Sequence, residues 1–153
     1  MEPVIRLDQW PAMSSRPPAR PTVIVVDDDD GLRSALRYSL EIDGFNVVTC
    51  ASGEGLLKLA LPQTSACLVV DQMLPGLSGI DALEALRARQ VHLPAIVITS
   101  APDARLRART LLANARLIEK PLLTDLLTGA IRVLLEPVWG PEPASAPSPI
   151  QTE

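Results

Sequence analysis

Between residues 22 and 136, short aliphatic runs alternate with segments whose apolar residues recur at helical spacing. TVIVV (22–26) is brief and β-branched, the pattern of a strand covered on both faces. In LRSALRYSL (32–40), Leu32, Ala35, Leu36 and Leu40 share one side of a helix. Gly44 marks the end of that helix, NVVTCA (46–51) reads as a second strand, and Gly53 to Leu61 reads as a short helix stopped by Pro62. ACLVV (66–70) forms a third strand and runs into Asp71. GIDALEALRA (79–88) is a helix with Ile80, Leu83 and Leu86 facing inward. The alternation is completed by AIVITS (95–100), a helix around Ala104 to Leu112, the short strand RLI (116–118) and a last helix from Leu122 to Leu135. Five βα units with strands apolar on both faces predict an α/β fold, a doubly wound parallel sheet covered by helices on each side. Right-handed crossovers leave few topologies for it.

The ends differ in kind. Residues 1–21 hold five of the chain's 15 prolines and residues 137–153 hold five more. Proline removes amide donors and stiffens the chain in extended forms, so a flexible Pro-rich extension, a folded domain over 22–136 and a flexible Pro-rich tail are expected. At 153 residues the chain has room for one domain. Aromatics are 3% of it, so the core must be aliphatic. The formal net charge of −4 gives no support to direct DNA binding or to an anionic membrane surface. Without an apolar run long enough to cross a bilayer, or a secretion signal, the expected location is cytoplasmic. Cys50 and Cys67 fall in strand-like runs without metal-ligand spacing and read as reduced core residues. His92 reads as a solvent-facing residue between a helix and a strand.

In a doubly wound sheet, ligands bind beyond the carboxyl ends of the strands. The sequence concentrates its polar residues there: Asp27, Asp28, Asp29 and Asp30 after the first strand, Asp71 after the third, Thr99 and Ser100 after the fourth, Lys120 after the fifth. Taken singly, each has another reading. Asp27 and Asp28 could be strand-end or capping residues, Asp30 is placed to cap LRSAL, Thr99 suits any strand, and Lys120 could be solvated. Together they converge on one site. Carboxylates so close repel by about 4 kcal/mol per pair at an effective dielectric of about 20, and a bound cation removes that repulsion. An all-oxygen donor set suits Mg²⁺, for which Mn²⁺ could substitute. Asp28 and Asp71 are the direct ligand candidates, with the backbone carbonyl of Met73 and a water held by Asp27. Asp71 can act as nucleophile toward a phosphoryl donor, Lys120 can neutralise the transferring oxygens, and Thr99 can donate to one of them afterwards.

Four segments, VVDDDDGLRSAL (25–36), DQMLPGLSGIDAL (71–83), VITS (97–100) and IEKPL (118–122), resemble in order and spacing the receiver domains of bacterial two-component response regulators. The resemblance covers about 22–136. It implies a flavodoxin-like (βα)5 fold with strand order 2-1-3-4-5. Asp71 then corresponds to the phosphoacceptor, Asp27 and Asp28 to the acidic pair, Thr99 to the switch hydroxyl and Lys120 to the phosphate-contacting lysine. Asp71, Pro75 and Gly79 match the family's phosphorylation loop, and Pro121 its cis proline. The implied donor is the phosphohistidine of a sensor histidine kinase, and the implied behaviour is a Mg²⁺-dependent signalling module, not a turnover enzyme.

Similar receivers are often joined to a DNA-binding domain. Here only a Pro-rich tail follows, so a stand-alone regulator acting on an unknown protein target is expected. VVDDDDG lacks the DxDx spacing of haloacid-dehalogenase-type phosphatases, which argues against that class. Leu117 stands where the family usually has Phe or Tyr, and the stretch from Thr99 to Lys120 is about one residue shorter than in similar receivers; these two features favour a degenerate receiver that works without phosphorylation. Arg105 and Arg109 share a helical face. With Leu117 they mark either a solvated surface or a dimer face through the fourth helix, fifth strand and fifth helix. Trp10 and Trp139, in the two ends, are candidates for contact with the domain or a partner.

Overall fold

The computed structural model describes residues 20–136. Trp10, Trp139 and all of the Pro-rich ends except Arg20 and Pro21 lie outside them, and with them the expectation of flexibility. Ten elements alternate: β1 (Thr22–Val26), α1 (Asp30–Ile42), β2 (Asn46–Cys50), α2 (Gly53–Leu57), β3 (Ala66–Asp71), α3 (Gly79–Ala88), β4 (Ala95–Thr99), α4 (Ala104–Leu112), β5 (Arg116–Glu119) and α5 (Thr124–Leu135). The five strands form one sheet in the order β2-β1-β3-β4-β5, and every pairing is parallel.

Both faces of the sheet are covered. On one side Ile24, Val26, Leu68, Val70 and Val97 pack with Leu56, Ile80, Leu83, Leu86 and Leu106. On the other, Val23, Val25, Cys67, Val69, Ile96 and Ile98 pack with Leu36, Leu40, Leu127 and Ile131. The alternation of side chains along each strand produces the two cores, which is why the strands read as continuous apolar runs. Burying a side chain of this size stabilises the fold by about 1.5–3 kcal/mol. Cys67 belongs to the second core, and burial pushes its thiol up to about 12. Both cysteines are free, and His92 is exposed on its loop.

Three local features depart from the periodicity. The α2 helix ends at Leu57, four residues before the expected Leu61. Its last turn tightens through the Lys58 and Leu59 amides, which donate to the carbonyls of Gly55 and Leu56 at 3.2 and 3.1 Å. The irregular stretch that follows turns Leu59 and Leu61 onto the core. The cap of α1 is Asp29, whose side chain accepts from the Leu32 amide at 3.1 Å, and Asp30 is already helical. Asn114 takes the left-handed conformation (φ 58°) just past α4, where the sequence has Asn in place of the usual glycine.

Candidate functional site

The carboxyl ends of β1, β3, β4 and β5 gather most of the expected residues. Asp27 and Asp71 are buried, Asp28 is exposed, and one carboxylate oxygen from each lies within 4.8 Å of the others. Asp71 is held on both oxygens: the Met73 amide donates to Oδ1 at 3.0 Å and the Lys120 ammonium donates to Oδ2 at 3.1 Å. Asp27 accepts the Asp29 amide at 2.9 Å. Burial above all, with the Asp71 charge adding to it, pushes the Asp27 carboxyl above its ordinary 3.8, against the pull of the Asp29 amide and the Lys120 ammonium. Two buried carboxylates and a third at the surface form an all-oxygen cluster of the kind that takes a divalent cation.

Thr99 is buried at the end of β4, its Oγ1 accepting the Ala101 amide at 3.1 Å. The Lys120 amide donates to the Thr99 carbonyl at 2.8 Å, so the lysine and the threonine are fixed to each other through the backbone. The Lys120–Pro121 peptide is cis. Pro75 is exposed on the loop after Asp71. Gly79 is buried beneath it, and a Cβ there would collide with the Asp71 carbonyl oxygen. That close approach is the reason for glycine.

Several contributors were not evident from the sequence. Arg33, one turn into α1, donates from Nη1 to the Asp27 carbonyl at 2.6 Å and pairs with Asp30. Gln72 accepts the Ile80 amide on Oε1 at 2.8 Å and ties the loop after Asp71 to α3. Glu54 accepts the Leu77 amide at 3.1 Å from across the loop. Apart from Asp30 and Arg33, three residues apart on one helix, spacing gave no signal for these contacts, which the fold brings together. The presumed interface residues are divided. Arg105 is exposed and Leu117 is half-buried against the core, whereas Arg109 pairs with Asp81 at 2.8 Å and Glu84 at 2.5 Å on α3.

A parallel 2-1-3-4-5 sheet with an acidic cluster and a lysine at its carboxyl edge defines a class of phosphoryl-accepting signalling domains. The family model described as response regulator receiver domain matches residues 23–132, and the chain belongs to that family. It is 35% identical over 114 residues to the transcriptional regulatory protein FixJ of Azorhizobium caulinodans, covering 74% of this chain and 54% of the relative. Among solved structures, the response regulator StyR superposes with a TM-score of 0.71 at 37% identity, over 77% of this chain and 60% of that one. A structure of FixJ-N gives a TM-score of 0.69 at 32% identity, over 77% of this chain and 95% of that one. The chain spans about half the length of the curated relatives it matches. No helix among the described residues is long and apolar enough to cross a membrane.

Proposed function

We propose that this domain accepts a phosphoryl group on Asp71 from the phosphohistidine of a sensor histidine kinase, with Mg²⁺ in the acidic cluster, and signals through contact with another protein. The observation that carries the proposal is the meeting of the Asp71 carboxylate with Asp27 and Asp28 within 4.8 Å and with the Lys120 ammonium at 3.1 Å. Asp28, Asp71 and the Met73 carbonyl would hold Mg²⁺, with Asp27 acting through a water, and Mn²⁺ fits the same oxygens. When bound, the ion supplies positive charge that offsets the clustered carboxylates and the incoming phosphate.

The protein's own groups do the rest. An Asp71 oxygen attacks phosphorus, a P–O bond forms as the P–N bond to the imidazole breaks, and that electron pair returns to the ring. The Lys120 ammonium, already on Oδ2, then faces the new phosphate oxygens. Thr99 can turn its hydroxyl from its own loop toward one of them. Hydrolysis returns the carboxylate and releases phosphate, so the domain is consumed and reset by its own chemistry without turning over a separate substrate. Met73, two residues after the acceptor and 65% exposed, has no side-chain amide or acid to align water, which favours a long-lived phosphorylated form.

The response surface we favour is α4, β5 and α5. There Arg105 is exposed, and Leu111 and Leu112 stand 77% and 87% exposed. A dimer or a target could cover these leucines.

Intact mass after incubation with acetyl phosphate and Mg²⁺ tests the proposal. One added phosphoryl group, absent in Asp71→Ala and persisting for minutes after the donor is removed, is the expected result. Failure to label would favour a phosphorylation-independent interaction module. Label that decays within seconds would remove the role given to Met73.

A further inference from the structure

The loop from Asp71 to α3 must reverse direction while presenting Met73 to the acidic cluster. Its ends are secured by Gln72, whose amide donates to the Ile98 carbonyl at 2.8 Å and whose own carbonyl accepts the Gly79 amide at 3.1 Å. Its outer bend is held from a different element. Glu54, in the first turn of α2, accepts the Leu77 amide on Oε2 at 3.1 Å, across a separation of 23 residues.

Two glycines lie where α2 meets this loop. Gly76 sits in the left-handed region (φ 76°), and a Cβ there would run into the Glu54 carboxylate. Gly53 lets α2 close on the loop, since an added Cβ would stand 3.1 Å from the Leu77 Cβ and 3.2 Å from its carbonyl oxygen. Ser52 already caps the helix by accepting the Gly55 amide at 3.0 Å.

Taking the proposed function as its basis, we infer that Glu54 is a positioning residue for phosphoryl transfer to Asp71. By holding the Leu77 amide it fixes the bend of the loop. The same loop carries the Met73 amide that orients Asp71 Oδ1 and the Met73 carbonyl proposed as a metal ligand. Glu54 touches no reacting atom and gains or loses no proton in the reaction. It acts as a hydrogen-bond acceptor, a role that the side-chain oxygen of glutamine can also fill.

The 153-residue chain is compared with its Glu54→Ala and Glu54→Gln variants by Mg²⁺ titration followed on backbone amide resonances, with acetyl phosphate labelling and thermal melts alongside. In Glu54→Ala the Leu77 and Met73 amide resonances move, and both Mg²⁺ affinity and the labelling rate fall about fivefold, the scale of one lost hydrogen bond. Glu54→Gln stays within about twofold of the parent, as one lost charge with the bond retained allows. Unchanged metal affinity and labelling in Glu54→Ala would overturn the inference, as would Glu54→Gln falling as far as Glu54→Ala. A parent chain that binds Mg²⁺ but takes no label counts against the proposed function alone, and the metal affinities then decide this inference. A parent that does neither overturns both.

Discussion

Strands β3 and β5 leave the same edge of one sheet but are anchored very differently. Every residue of β3 is buried, and β1 and β4 pair with it on either side. Strand β5 pairs with β4 at the edge of the sheet, exposes Arg116 and Glu119, and only half-buries Leu117 and Ile118. Beside it, α4 leaves Leu111 and Leu112 in solvent. The Asp71 carboxylate therefore stands on a strand buried throughout, while Lys120 approaches it from an edge strand with no fully buried residue. Stability is not uniform across a fold, and segments that move are drawn from its weakly packed parts. The contrast separates a firmly held Asp71 from a side that can yield under the change of charge proposed for it.

One kind of substitution should give opposite results in the two regions. Gly79→Ala drives a methyl group against the Asp71 carbonyl, and overpacking of this kind destabilises by about 3 kcal/mol, lowering Tm by roughly 10 °C. Gly129 lies within α5, and a Cβ built there meets nothing within 4 Å. Gly129→Ala should stabilise by up to about 1 kcal/mol through helix propensity. Thermal melts of both variants check this. A Gly79→Ala protein that melts with the parent would show that the acceptor end is not rigid.

Within the rigid end, the acidic cluster works against stability. Asp27 has a raised pKa, so between 3.8 and its folded value the native state keeps a proton that the unfolded chain has released. Stability therefore falls as pH rises through that window, and the penalty remains in full at neutral pH. Asp27→Asn removes the charge and keeps an oxygen for the Asp29 amide. In chelator near neutral pH it should melt a few degrees above the parent, with the advantage vanishing below about pH 4. Mg²⁺ should reverse the order by stabilising the parent more. Melts across pH, with and without the ion, measure the sign directly.

Much of this was legible in the sequence, for a physical reason. Strands covered on both faces are continuous aliphatic runs, so the alternation could be read locally, although α2 ends four residues and α5 begins two residues away from where the pattern put them. The carboxylates and Lys120 were legible because they immediately follow those runs. What escaped notice depends on distant partners. Arg109 looked free on its own helix, yet it reaches Glu84 and Asp81, 25 and 28 residues away. Arg87 gave no local signal either, although its half-buried guanidinium serves the carbonyls of Val91, Leu93 and Ala113 at 2.8–3.0 Å. Local spacing also misplaced the α1 cap by one residue, since Asp29 and Asp30 are chemically equivalent until the chain direction is known.

The smallest effect falls on the yielding side. Arg109 joins α4 to α3 through Asp81 and Glu84, a two-pronged but largely exposed arrangement. Exposed pairs of this kind contribute about 0.2–1 kcal/mol and are screened by salt, so Arg109→Ala should destabilise by less than about 1 kcal/mol. The Arg109 hydrogen bond, with the Ser78 hydroxyl adding to it, holds the Asp81 carboxyl below its ordinary 3.8. The stabilisation is therefore present above that value and is lost as pH falls through the lower, folded one. Denaturant melts of parent and variant should differ most at neutral pH and low salt, and should converge in acid or in high salt. A loss above about 2 kcal/mol would mean that α4 is held as firmly as β3, and the contrast between the two sides would fail. A loss within the expected range leaves α4 tied by an interaction weak enough for a change of charge at Asp71 to outweigh.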